Sequence, residues 1–154
     1  EIQAPYHLHF SPSLGYGAQV KSLKVDGEEK DFRAEERGGE VLLELDLEIK
    51  EKTVIEVWTE KSILIDLPCH LPQIGERTSG LKVVRAQYSN NQLRIIAEGL
   101  AGKEYTLSLI TARTIVSIEG AEAVERGSTE KKIKIDFKEK KGEYSRKEVI
   151  IRFE

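Results

Sequence analysis

Apolar residues alternate with polar ones along most of the chain. In the run from Glu40 to Ile49, Val41, Leu43, Leu45, Leu47 and Ile49 fall on one side and mostly charged residues on the other, the period of a half-buried strand rather than a helix. The pattern recurs at Val54–Trp58, Leu81–Arg85, Leu93–Ile96, Tyr105–Leu109, Ile133–Phe137 and Val149–Phe153. Turn formers separate these runs: Asp26-Gly27, Gly38-Gly39, Asn90-Asn91, Gly99, Gly102, Gly120, Gly127 and Gly142. Asn90-Asn91 leaves the two-residue gap of a tight hairpin, and Asn tolerates positive φ. Many short strands with frequent turns predict an all-β antiparallel sandwich with little or no helix, a single turn at Ala121–Arg126 being the one helical candidate.

The expected unit is one β-sandwich domain over 1–154. Within it a quasi-repeat is expected between 6–67 and 81–153, joined by the Pro- and Gly-containing connector 68–80. Its first copy runs through Leu8 and Phe10, Leu23-Lys24-Val25-Asp26-Gly27, the strand through Leu45 and Ile55-Glu56-Val57. Its second runs through Leu107 and Leu109, Val116-Ser117-Ile118-Glu119-Gly120, Ile133-Lys134-Ile135 and Ile150-Ile151-Arg152-Phe153.

Composition narrows the functional classes. With 27 acidic against 24 basic residues, interspersed, no basic field exists to bind phosphate backbones, so nucleic acid is not an expected partner. No apolar run approaches the roughly 20 residues of a membrane-spanning helix. The single Cys69 excludes an internal disulfide framework and a multi-cysteine zinc module. The absence of methionine is expected of an excised domain or processed chain.

His7 and His9 lie two residues apart on one face of a strand, a workable spacing for two imidazoles on one metal, with His70 as a distant third donor. The plainer reading of Tyr6-His7-Leu8-His9-Phe10 sets Leu8 and Phe10 toward the core and both histidines toward water, and no metal is expected. Cys69 beside His70 does not form a nucleophile and base, because adjacent residues of an extended chain point apart. No phosphate loop, dinucleotide fingerprint or nucleophile elbow occurs, so no cofactor is expected. The carboxylates Glu44, Asp46 and Glu48 alternate with leucines as a solvated face does, and no catalytic residue is assigned.

Aromatic rings remain as candidates for stacking on sugars. Trp58 is out of phase with Ile55 and Val57 and should point outward; Tyr16 sits between Gly15 and Gly17, and Tyr88 lies beside a hairpin tip.

Phe10-Ser11-Pro12-Ser13-Leu14, followed by Val20, Leu23-Lys24-Val25-Asp26-Gly27 and Phe32, resembles the start of the C-terminal β-sandwich appendage that follows the helical catalytic barrel of several bacterial glycoside hydrolases. Gly99-Leu100-Ala101-Gly102-Lys103-Glu104-Tyr105 and the Leu-x-Leu strand after it are similar to a later part of such domains. The family commonly has proline after the leucine, where this chain has Gly15-Tyr16. The resemblance implies a non-catalytic accessory domain, its partner the catalytic domain of the same secreted or periplasmic polypeptide, and no enzyme activity in this chain. Two other readings accompany it: a carbohydrate-binding module taking polysaccharide through Trp58, Tyr16 or Tyr88, and an immunoglobulin-like surface-interaction domain.

Overall fold

A computed structural model describes residues 6–49, 52–68, 74, 79–138 and 144–154. Those residues form fifteen strands and no helix. The strands are β1 (Tyr6–Phe10), β2 (Ser13–Tyr16), β3 (Gln19–Val25), β4 (Glu28–Glu29), β5 (Arg33–Arg37), β6 (Glu40–Ile49), β7 (Ile55–Glu60), β8 (Leu64–Asp66), β9 (Lys82–Ser89), β10 (Gln92–Leu100), β11 (Glu104–Ile110), β12 (Ile115–Glu119), β13 (Glu122–Arg126), β14 (Glu130–Asp136) and β15 (Tyr144–Phe153). Every pairing is antiparallel.

Four sheets make two layered halves. In the first, β6 carries β1, β2 and β5, and the facing sheet runs β4-β3-β7. In the second, β12-β15-β10-β9 faces β13-β14-β11-β8. The period-two pattern explains this directly: each strand places its apolar set between two sheets. Leu23, Leu43 and Leu45 are buried in the first half with Leu14, Leu47, Ile55 and Val57 packed around them. The second half buries thirteen residues, among them Leu93, Ile95, Leu107, Leu109, Ile133, Ile135, Val149 and Ile151. The hairpin expected at Asn90-Asn91 forms between β9 and β10, with φ of 50° and 58°.

The pairing scheme recurs. β1 pairs β6 and β3 pairs β7, as β11 pairs β14 and β12 pairs β15. The cross-strand registers also correspond: Tyr6 opposes Ile49 and Leu8 opposes Leu47, where Tyr105 opposes Ile135 and Leu107 opposes Ile133. Val25 opposes Ile55 where Ile118 opposes Ile151. The halves differ in extent, because β8, β9 and β10 of the second have no counterpart among the described residues of the first.

Three expectations change. The segment Ala121–Arg126 is strand β13 rather than a helical turn; its alternation is interrupted by a bulge between Ala123 and Glu125, which hid it. Ile63 and β8, placed with the first half by sequence, belong to the core and sheet of the second. Leu8 and Phe10 do lie opposite Leu47 and Leu45, on the core side, yet both remain exposed at 40% and 37%. They sit on a strand with no described neighbour on its second edge.

The two halves are tied at β2, the β5–β6 turn and β9. Tyr16 and Ile63 exchange backbone hydrogen bonds of 2.9 and 3.0 Å, and the Tyr88 N–H donates to the Gly38 carbonyl at 2.9 Å. Gly39, at φ 87°, lies so close to β9 that a Cβ there would stand 2.1 Å from the Tyr88 carbonyl oxygen. A side chain at this position meets both a steric and a conformational penalty. Gly39→Ala is expected to lower stability by about 2 kcal/mol or more, read as a lower urea midpoint with unchanged slope. Gly27 has the same left-handed backbone, but a Cβ added there would meet nothing within 4 Å, so a Gly27→Ala control should lose less.

Candidate functional site

The stretch Ser11-Pro12-Ser13-Leu14 forms a corner rather than a binding loop. The Pro12 carbonyl accepts from the Leu43 N–H at 3.0 Å. The Ser13 hydroxyl donates to Glu40 at 2.6 Å, and Ser62 Oγ donates to the Leu14 carbonyl at 2.6 Å. The later glycine-rich stretch is likewise turn chemistry: the Tyr105 hydroxyl accepts from the Leu100 N–H at 3.1 Å and donates to the Ser79 carbonyl at 2.8 Å, while its ring meets Phe137 edge-on at 5.7 Å.

His7 and His9 face outward on β1, directly across from Glu48 and Asp46. His9 Nδ1 lies 3.0 Å from Asp46 Oδ1, both side chains well exposed. Among the described residues no group of three or more His, Cys, Asp or Glu is arranged to hold a metal. His70 and Cys69 lie outside the described residues.

The three aromatic candidates are not brought to one place. Trp58 projects from the outer face of β7, 66% exposed, with Ser22 opposite it and Glu56, Lys24 and Glu60 along the same two strands. Tyr16 and Tyr88 both pack on the larger core at the junction of the halves, each half-buried. A Cβ on Gly17 would lie 2.5 Å from the Tyr88 ring, so Gly17 is the residue that allows this ring to pack. Burial raises the Tyr16 phenol above its ordinary pKa, and the Glu40 carboxylate adds to the shift.

Sequence reasoning passed over Arg113, which organises that junction. Its guanidinium donates to the Tyr88 hydroxyl, to the Glu154 backbone carbonyl, and to Asn91 Oδ1 at 2.9 Å. It stands 5.6 Å from the Tyr88 ring centre and 5.3 Å from that of Phe153, within cation–π range. The Tyr88 hydroxyl in turn donates to Asn91 at 3.1 Å. A small crevice of about 310 Å³ opens beside this cluster, walled by Ala18, Glu36, Lys61, Tyr88 and Arg113. No local motif marks Arg113; its partners lie 22 to 41 residues away.

A larger open concavity of about 930 Å³ runs along Glu44, Asp46 and Glu48 of β6 and the segment from Asp26 to Arg33. Glu44 is half-buried, and the other carboxylates lining it are exposed. It contains none of the three candidate aromatic rings. No protein-family model matches the chain, and no characterised protein or solved structure matches it either.

Two outcomes follow from the junction. Arg113→Ala leaves the Tyr88 and Asn91 acceptors without their charged donor and should cost about 1–3 kcal/mol. In a double-mutant cycle with Tyr88→Phe the two losses should fall short of additivity, because each removes the same contact. The raised Tyr16 pKa gives a pH signature. Above the ordinary phenol value of 10.0 the unfolded phenol loses its proton while the folded one retains it, so stability falls as pH rises through the interval up to the folded value. Below pH 10.0 this contribution is fully present. Tyr16→Phe should flatten that alkaline decline in urea titrations at successive pH values.

Proposed function

We propose that this chain is a non-catalytic β-sandwich accessory unit of a secreted or periplasmic glycoside hydrolase, packing on and stabilising a catalytic domain of the same polypeptide. The observation that carries this reading is the apolar row on β1. Tyr6, Leu8 and Phe10 share one side of the strand, opposite Ile49, Leu47 and Leu45, and are 62%, 40% and 37% exposed. Three consecutive same-face apolar side chains at a sheet edge are an interaction surface by character, and a neighbouring domain supplies the cover. The corner at Ser11–Leu14, on which the family resemblance rests, holds β1 and β2 against β6 and so fixes where that row faces.

The purified chain should be folded by circular dichroism and release no chromophore from a panel of aryl glycosides. Leu8→Ser combined with Phe10→Ser should reduce binding of an apolar dye at little cost in stability, since both residues are already part-exposed. Turnover that persists after removal of contaminating host enzymes is the result that sinks the reading.

Trp58 favours a second reading, a carbohydrate-binding module. Its exposed ring has polar groups around it on the β3–β7 pair, a setting suited to stacking on a pyranose face. Calorimetric titration against a polysaccharide panel separates the two. Saturable binding abolished by Trp58→Ala supports the module, and silence across the panel leaves the accessory role. Tyr16 and Tyr88 contribute less to such a site, because their rings are engaged at the junction. An immunoglobulin-like protein-binding role draws on the same exposed row.

A further inference from the structure

The two halves cover the outer edge of their central strands differently. By the shared registers, Leu45, Leu47 and Ile49 of β6 stand where Lys131, Ile133 and Ile135 stand in β14. In the second half β13 runs along that span, with Glu122 opposite Lys134, Ala123 opposite Ile133, Glu125 opposite Lys132 and Arg126 opposite Lys131. The corresponding strand of the first half, β5, pairs with β6 from Arg37 opposite Glu40 to Arg33 opposite Glu44 and stops there. Leu45–Ile49 therefore have β1 on one side and, among the described residues, no strand on the other.

The four β6 positions that match the β13 contacts, Leu45 to Glu48, lie in one unbroken register with β1, so no bulge turns this edge away. The Leu43 N–H donates to the Pro12 carbonyl on the β1 side. Antiparallel bonding alternates every second residue, so Leu45 and Leu47 bond β1 while Asp46 and Glu48 turn their amides and carbonyls to the open edge. The concavity of about 930 Å³ lies along them, its far wall the segment from Lys30 to Arg33. The apolar side of the span is thinly covered as well: Leu47 and Ile49 are half-buried, where Ile133 and Ile135 are 0% exposed.

Charge says what fits. On the outer face of β14 the edge positions are Lys132 and Lys134, and the strand beside them carries Glu125 and Glu122 in register, with Glu122 Oε2 3.5 Å from Lys134 Nζ. On β6 the matching positions are Asp46 and Glu48, the inverse sign. Six carboxylates line the concavity against two cations, Lys30 and Arg33. Both cations already have carboxylate neighbours: Lys30 lies 4.0 Å from Glu28, and Arg33 stands opposite Glu44. Asp46 meets His9 at 3.0 Å on the β1 side, which leaves its other flank to the concavity. A strand that completes this edge as β13 completes the other must therefore be basic.

We propose that the open edge of β6 over Leu45–Ile49 is an acceptor for an extended, basic segment of a partner polypeptide. The segment lies antiparallel to β6 in the place that β13 takes in the second half. Its lysine or arginine side chains stand opposite Asp46 and Glu48, and an apolar side chain stands opposite Leu47. Main-chain hydrogen bonds to Asp46 and Glu48 hold it, and the two carboxylates set its register and reject acidic strands. This goes beyond the accessory reading and does not rest on it.

The test uses the full chain and the end-blocked peptide Val-Lys-Val-Lys-Val, which spans β6 from Ile49 to Leu45. At saturating peptide, amide exchange at Asp46 and Glu48 should slow by about tenfold or more, and added salt should weaken the effect. The peptide Val-Glu-Val-Glu-Val should protect neither amide. The basic peptide N-methylated at both lysines, whose amides face β6, should also fail. Asp46→Asn combined with Glu48→Gln, both exposed positions, should lower the affinity by about fivefold with little change in the urea midpoint. Equal protection by the acidic and basic peptides overturns the proposal, as does undiminished binding to the neutralised variant. So does protection that survives N-methylation, or no protection of Asp46 and Glu48 at any peptide concentration reached. Protection that appears without peptide as the chain dimerises assigns the edge to a second copy and rules out the partner segment.

Discussion

The contact between the Gly38-Gly39 turn and Tyr88 holds the rest of the molecule to its arrangement. The first half closes its two sheets over a cluster of only three buried leucines, Leu23, Leu43 and Leu45, against thirteen buried residues in the second. Ordering a residue costs about 1–2 kcal/mol of backbone entropy, and so thin a core leaves little margin. The docked turn, the Tyr16–Ile63 bridge and the packing of Tyr16 and Tyr88 on the larger core connect the weak half to the strong one. The close approach is available because Gly39 and Gly17 have no side chain to obstruct it. Arg113 then fixes the Tyr88 ring from the far side.

The outer faces follow a different logic. On the sheet through β10 and β15, Arg146 meets Glu98 at 3.1 Å, and Arg94–Glu148 and Arg152–Glu119 are also paired. The Arg94 hydrogen bond holds the Glu148 carboxyl below its ordinary pKa. Exposed pairs of this kind contribute little to stability. Their effect is on association, since a face of alternating charge gives an incoming sheet no apolar landing and its strands no free register. Against that background the apolar row of β1, Tyr6, Leu8 and Phe10, stands apart as a surface without such protection.

Strands with strict alternation were legible because a single buried face imposes a period of two over many residues, as in β6 with Val41, Leu43 and Leu45. Strands whose stabilisation comes from neighbours were not. β5 is Arg-Ala-Glu-Glu-Arg and every residue is exposed; its place is set by pairing with β6, which no local pattern records. β13 was hidden by its bulge, and β8 is too short to show a period. At the candidate site, the outward direction of Trp58 could be read from its phase relative to Ile55 and Val57. The half-burial of Tyr16 and Tyr88 could not, because it arises from contacts between segments far apart in sequence.

The same register decides what His7-Leu8-His9 means. The opposite strand places Glu48 and Asp46 across from the two imidazoles, and His9 pairs with Asp46. That contact is an ordinary cross-strand pair of an exposed sheet face. The apolar side is left open within the described residues: Leu8 and Phe10 face the core layer at the edge of their sheet, where their counterparts Leu107 and Leu109 sit on a strand flanked by β8 as well as β14. β1 thus pairs one of its two histidines across the strand and leaves its apolar row open at the sheet edge.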